Sequence, residues 1–196
     1  MAKLYFKFGT MGSSKTAQAL MTKFNYEEKG KIVKLIKPAT DTRDDILKEN
    51  RKITLVKSRI GLSAEAQTVK TNEIIRETLS KEIKENRIDV IICDECQFLT
   101  PEHVDQLRFI VDNFDIPVLC FGLRSDFRTH LFPGSKRLFE IADSISEIKS
   151  VCKCGSKAIV NARISDGKII TDGPQVDIGG NEKYEGMCYK CYMKKH

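Results

Sequence analysis

Gly9-Thr10-Met11-Gly12-Ser13-Ser14-Lys15-Thr16 decides how this chain is read, because of what stands on either side of it. Residues 3–8, Lys-Leu-Tyr-Phe-Lys-Phe, have strand character, and residues 17–28 read as a helix. A glycine, four residues and a Gly-Lys-Ser/Thr triplet between a strand and a helix form a phosphate-binding loop. In it, backbone N–H groups and the helix N-terminus converge on a polyphosphate. Here Ser14 occupies the second glycine position. Glycine supplies backbone freedom and close approach, so a serine there needs ordinary dihedrals or a side chain turned from the phosphates, with Gly12 taking over some of the freedom. Lys15 would neutralise β- and γ-phosphates, and the Thr16 hydroxyl would sit on Mg²⁺. The plainer alternative is a glycine-rich turn capping an ordinary helix. The flanking strand and helix and the intact Lys15-Thr16 pair weigh against it.

Outward from the loop, residues 31–37 read as a strand closed by Pro38, followed by a polar segment with Asp41-Thr42-Arg43 and a short strand at 53–57. Residues 72–85 space Ile74, Ile75, Leu79 and Ile83 at helical intervals. Val90-Ile91-Ile92-Cys93-Asp94 is an apolar run ending in a carboxylate, as expected of a central parallel strand. Thr100 caps the next helix, with Pro101 in its first turn. A strand at 116–122, a helix at 134–143 and a last strand at 145–149 complete the pattern. The alternation predicts an α/β fold: a P-loop, RecA-like, mostly parallel sheet flanked by helices, with ligands at the carboxyl ends of the strands.

After Val151 the texture changes. Strand-like pieces at 158–164 and 168–171, joined by an Asp166-Gly167 turn, lie between two cysteine pairs. Residues 1–150 therefore read as a P-loop ATP-binding domain and 151–196 as a small metal-dependent lobe, too short to hold a core of its own. Cys152, Cys154, Cys188 and Cys191 fit a four-thiolate structural zinc site, with Cys-x-Cys spacing in the first pair and Cys-x-x-Cys in the second. Two disulfides are the alternative, disfavoured in an intracellular chain. Cys93, Cys96 and Cys120 sit in apolar strand-like surroundings and read as small buried hydrophobes.

With 196 residues the chain can bury a core without staples. It has no apolar run of about 18 residues and no leader-like N-terminus, so a soluble, cytoplasmic protein without a membrane partner is expected. The net charge of +6 is spread through Lys-rich helices interleaved with acids, as in Lys81-Glu82-Ile83-Lys84-Glu85. Solvated helix faces account for that, and an anionic substrate or nucleic acid stays open.

Asp94-Glu95 at the end of the apolar strand is the second phosphate-site element. In P-loop enzymes the strand-end Asp holds Mg²⁺, usually through water, and an adjacent Glu handles a nucleophile's proton. Alone, such a pair is an ordinary surface feature; its coupling to the N-terminal loop gives it the catalytic meaning.

Asp94-Glu95-Cys96-Gln97-Phe98 resembles the Asp-Glu-Ala-Gln-Phe segment of the type II thymidine kinases, the cytosolic class with a zinc lobe. Further similar segments come in the expected order. They are Lys37-Pro38-Ala39 with Asp41 and Arg43, Ser58-Arg59-Ile60-Gly61-Leu62, Gly122-Leu123-Arg124-Ser125-Asp126-Phe127, and Ile178-Gly179-Gly180 with Tyr184 and Cys188. The resemblance implies ATP-dependent phosphorylation of thymidine at its 5′-hydroxyl, with Glu95 as general base and Arg59 near the transferred phosphoryl. Gly9 to Thr16 would hold the ATP phosphates, and Thr16 and Asp94 the magnesium. Gln97, Phe98, Leu123, Phe127 and Phe132 would wall the thymine pocket, although core packing is the commoner fate of a Phe. Residues 171–184 resemble a loop folding over the base, in which Val176, Ile178, Gly179 and Gly180 meet the pyrimidine and Tyr184 reaches the sugar; a surface turn is the alternative. The first cysteine pair is one residue shorter than the family's, so His196 is a candidate replacement for Cys152. A homotetramer and feedback by thymidine triphosphate are likewise implied.

A rival reading is a nucleic-acid-binding P-loop ATPase gripping through the zinc lobe, with Lys190, Lys194, Lys195, Tyr189 and Tyr192 as its basic and aromatic set. It leaves Phe98, Phe127, Phe132 and Gly179-Gly180 unexplained. A non-catalytic nucleotide sensor would suit Ser14 but would not need Glu95.

Overall fold

The computed structural model describes residues 1–43, 45–48, 51–175 and 183–194. β1 (Leu4–Phe8) leads through the phosphate loop into α1 (Lys15–Glu27), and β2 (Val33–Pro38) follows. Two antiparallel hairpins come next, β3 (Ile46–Lys48) with β4 (Arg51–Ile53) and β5 (Leu55–Lys57) with β6 (Ser63–Glu65). The chain then runs through β7 (Gln67–Val69), α2 (Ile75–Asn86), β8 (Val90–Cys93), a 3-10 turn (Cys96–Phe98), α3 (Pro101–Phe114), β9 (Val118–Gly122), α4 (Pro133–Ile141) and β10 (Ser144–Glu147).

Six of these strands form one sheet in the order β10-β1-β9-β8-β2-β7, and every pairing in it is parallel. Alternation along each strand divides the core between its two faces. Leu35, Val90, Ile92, Leu119 and Phe121 pack with Ala19 and Leu20 of α1. Phe6, Ile36, Ile91, Val118 and Cys120 pack on the other side with Ile75 and Leu79 of α2, Val104, Leu107 and Ile110 of α3, and Leu138 of α4. Each buried Leu, Ile, Val or Phe among them contributes roughly 2 kcal/mol on burial. Register sets Phe8 beside Gly122 and Cys93 beside Cys120. The phosphate loop, Asp94-Glu95 and the segment after β9 therefore leave the sheet at one edge, its carboxyl end.

Thr100 caps α3 as expected: its Oγ1 accepts from His103 N at 3.2 Å, and His103 Nδ1 accepts from Thr100 N at 3.4 Å. The strand expected at 53–57 differs. Thr54 separates two short strands of different hairpins, and the sheet edge belongs to β7, whose three residues are too few to show alternation.

The C-terminal residues build β11 (Val160–Ser165), flanked antiparallel by β12 (Lys168–Ile170) and β13 (Tyr184–Met187), and then α5 (Tyr189–Lys194). This part has a small core after all: Cys152, Ala158, Val160, Ala162, Met187, Cys188 and Tyr192 are buried together. The unexpected β13 and α5 supply Met187 and Tyr192, from stretches too short to carry a periodic signal. No helix among the described residues is long and apolar enough to cross a membrane.

Candidate active site

A cavity of about 470 Å³ opens at the carboxyl edge of the sheet, a size suited to a small ligand. Met11, Gly12, Ser14, Lys15, Thr16, Arg59, Asp94, Glu95, Gln97, Phe98, Leu123, Phe127, Phe132 and Tyr184 all line it. Gly9, Thr10 and Ser13 are buried and do not line it. A Cβ on Gly9 would lie 2.4 Å from both the Ile148 carbonyl oxygen and Ser13 Oγ, so this glycine serves close packing behind the loop. Val176, Ile178, Gly179, Gly180 and His196 lie outside the described residues.

The loop carries two left-handed residues, Gly12 at φ 80° and Ser14 at φ 63°. Ser14 thus lacks the ordinary dihedrals that a serine would favour, at a cost of roughly 1–2 kcal/mol. Lys15 is buried, and Nζ donates to the Thr10 carbonyl at 2.8 Å. Burial lowers its pKa, against the opposing pull of Glu95 and Asp94. Thr16 Oγ1 donates to Asp94 Oδ2 at 2.9 Å. Burial, and then the neighbouring Glu95 carboxylate, push Asp94 up to about 7, despite the Thr16 hydroxyl and Lys15. A buried acid that resists its own charge beside a hydroxyl is a donor set suited to a hard divalent cation.

Glu95 is left-handed too, at φ 50°, between β8 and the 3-10 turn. Its Oε1 accepts from Arg43 Nη2 at 2.6 Å, and its Oε2 from the Gln97 amide. Gln97 is itself pinned, since Oε1 accepts from Leu123 N at 2.9 Å. Arg43 Nε also donates to Asp41 Oδ1 at 2.6 Å, and Asp41 Oδ2 accepts from buried Lys37 at 3.4 Å. Burial opposes the charge on Arg43, but Glu95 and Asp41 outweigh it and raise its pKa. Burial likewise works against the Asp41 carboxylate; Arg43 and Lys37 prevail and lower its pKa.

The apolar wall includes Phe98 edge-on to Phe132, with centroids 5.7 Å apart. Leu123 is fixed through its carbonyl, which accepts from Ser135 Oγ at 2.6 Å. Asp126 Oδ1 accepts from Arg128 N and His130 N, each at 2.9 Å, and Oδ2 accepts from Gln175 Nε2 at 3.0 Å. The start of the segment read as a covering loop is thereby anchored to the wall.

The sulfurs of Cys152, Cys154, Cys188 and Cys191 all lie within 4.8 Å of one another, with Cys154 and Cys188 3.6 Å apart. Tetrahedral zinc with Zn–S near 2.3 Å needs sulfurs about 3.8 Å apart, so the cluster fits a structural zinc site. Cys152 belongs to it despite the short Cys-x-Cys spacing, and the cysteines are free thiols, not disulfides.

Several residues at the site carried no assigned role in the sequence reading: Lys37, Asp41, Arg43, Asp126, Asn161 and Gln175. Lys37, Asp41, Arg43, Asp126 and Gln175 lie in segments that resemble the family's; Asn161 lies in none and carries no spacing signal.

The thymidine kinase family model matches residues 2–192. The chain belongs to the thymidine kinase family. Thymidine kinases similar to it include that of Shewanella oneidensis, 41% identical over 99% of this chain and 98% of the relative. That of Streptococcus gordonii is 44% identical over 99% and 97%, and that of Zymomonas mobilis 41% over 100% and 98%. Thymidine kinases matching at nearly full length on both sides make this chain an enzyme of the family.

Proposed function

We propose that this enzyme transfers the γ-phosphoryl group of ATP to the 5′-hydroxyl of thymidine, giving thymidine monophosphate and ADP. The carrying observation is that Lys15, the Thr16–Asp94 pair and the doubly held Glu95 face one cavity with an aromatic wall. Lys15 and the loop from Gly9 to Thr16 would bind and orient the donor phosphates, with Met11, Gly12, Ser14 and Thr16 beside Lys15 on the cavity and the Gly9, Met11 and Ser13 amides paired within the protein. Thr16 and Asp94 would hold Mg²⁺, which supplies charge neutralisation on the phosphates. Glu95 would take the proton of the 5′-hydroxyl as its oxygen bonds to the γ-phosphorus and the bond to the ADP oxygen breaks. Arg59 lines the cavity and its Nη1 approaches to 3.8 Å from where a Cβ on Gly12 would stand, a place from which it can meet the transferred group.

Phe98, Phe127, Phe132 and Leu123 would pack on thymine, Gln97 would hold Glu95 at the sugar end, and Tyr184 with Val176, Ile178, Gly179 and Gly180 would close over the nucleoside. The four thiolates would hold zinc as a structural ion. Residues 1–150 would then serve as the ATP-binding domain and 151–196 as the zinc lobe with its covering loop. Deoxynucleoside salvage in the cytoplasm, a homotetramer and feedback by thymidine triphosphate complete the reading, supported by the family. The test is incubation with Mg·ATP and thymidine or DNA. Thymidine monophosphate is the expected product; ATP hydrolysis stimulated by DNA without that product would overturn the proposal.

A further inference from the structure

One C-terminal side chain joins two walls of the cavity. Asn161, in β11, is 3% exposed and lines the cavity. Its Oδ1 accepts from Met11 N of the phosphate loop at 2.7 Å, and its Nδ2 donates to the Ser125 carbonyl, after β9, at 3.1 Å. A Cβ on Gly186 of β13 would lie 3.2 Å from the Met11 carbonyl oxygen, so both polar ends of this residue meet the C-terminal sheet. Tyr192 Oη of α5 donates to the Phe127 carbonyl at 3.0 Å and Arg124 Nη2 to the Ile159 carbonyl, just before β11, at 3.0 Å, fastening the same C-terminal lobe to the segment after β9.

The Met11 amide is thus spent on Asn161 immediately before the left-handed turn at Gly12 and Ser14. A loop with two left-handed residues needs its entry fixed, because each has competing backbone states. The carboxamide accepts from the Met11 N–H through its oxygen and donates to the Ser125 carbonyl through its nitrogen; an ionised carboxylate in its place accepts only. We propose that Asn161 is a positioning residue of the donor-phosphate site, through which the cysteine-cluster lobe holds the phosphate loop in its binding shape and links it to the thymidine-facing wall. This rests on the donor-site reading of residues 9–16.

Two variants separate the two bonds. Asn161→Leu keeps the size and loses both; Asn161→Asp keeps the bond from Met11 and loses the one to Ser125. Mg·ATP affinity by calorimetry, KM for each substrate, kcat, zinc content and thermal melting are measured for each. A buried N–H without an acceptor costs roughly tenfold or more in an equilibrium. Asn161→Leu should therefore weaken Mg·ATP by about tenfold and raise both KM values, with zinc retained. Asn161→Asp should raise the KM for thymidine and, by setting a negative charge beside the phosphate loop, weaken Mg·ATP as well. Wild-type Mg·ATP affinity in folded, zinc-loaded Asn161→Leu would overturn the proposal. Should that variant not fold, wild-type Mg·ATP affinity in folded, zinc-loaded Asn161→Ala would overturn it. If the wild-type protein bound no Mg·ATP, the donor-site reading itself would fall.

Discussion

Arg43 Nη2 donates to Glu95 Oε1 at 2.6 Å, across 52 residues of sequence. With Gln97 on the other oxygen, the pair fixes a carboxylate whose backbone is left-handed at φ 50°. Such a conformation costs about 1–3 kcal/mol and persists only where its surroundings determine it. Arg43→Ala should lower kcat by about tenfold or more through loss of orientation, with Mg·ATP affinity little changed. Single-turnover rates beside calorimetry check this; an unchanged rate would show that Gln97 alone suffices.

Asp41 links Arg43 to buried Lys37, and its lowered pKa carries a stability signature. A carboxylate depressed in the folded state stabilises fully above its unfolded value near 3.8, and that contribution is lost as pH falls through the folded value. Asp41→Asn should cost about 3 kcal/mol at neutral pH, Lys37 keeping Asp45 at 3.6 Å as a partner. Denaturant unfolding across pH should show the gap to wild type narrowing below about pH 4.

Ser14→Gly removes a Cβ from a left-handed position. Stability should rise by about 1 kcal/mol, read as a higher Tm, while nucleotide affinity changes by less than about tenfold because the loop already has this shape. A much larger gain in affinity would mean that the serine impairs the loop.

The four cysteines predict about one zinc per chain. Chelation should unfold the C-terminal lobe, abolish thymidine binding and, through Asn161, weaken nucleotide binding. Metal analysis with no zinc, and Cys188 and Cys191 oxidised in fresh protein, would contradict this.

The elements legible in the sequence are those whose signal is local. The phosphate loop has fixed spacing between a strand and a helix, and Val90 to Cys93 is an unbroken apolar run before its carboxylates. β7, with three residues, and β13, Tyr184-Glu185-Gly186-Met187, offer no period to read. Contacts made at long range were hidden for another reason. Nothing near Asn161 announces that it reaches Met11, 150 residues away, and the strain at Ser14 and Glu95 is a property of dihedrals, not of residue type.

Replacing Glu95 with Gln tests the central claim most directly. The side chain keeps its size and loses its capacity to accept the 5′-hydroxyl proton, a contribution of roughly 10²–10⁴-fold. Lys15, Thr16 and Asp94 act on the phosphate side and should bind as before. Steady-state thymidine phosphorylation should therefore fall by at least about a hundredfold, with Kd for Mg·ATP and thymidine nearly unchanged. Near-normal turnover in Glu95→Gln would contradict the general-base assignment and leave positioning alone to carry the reaction.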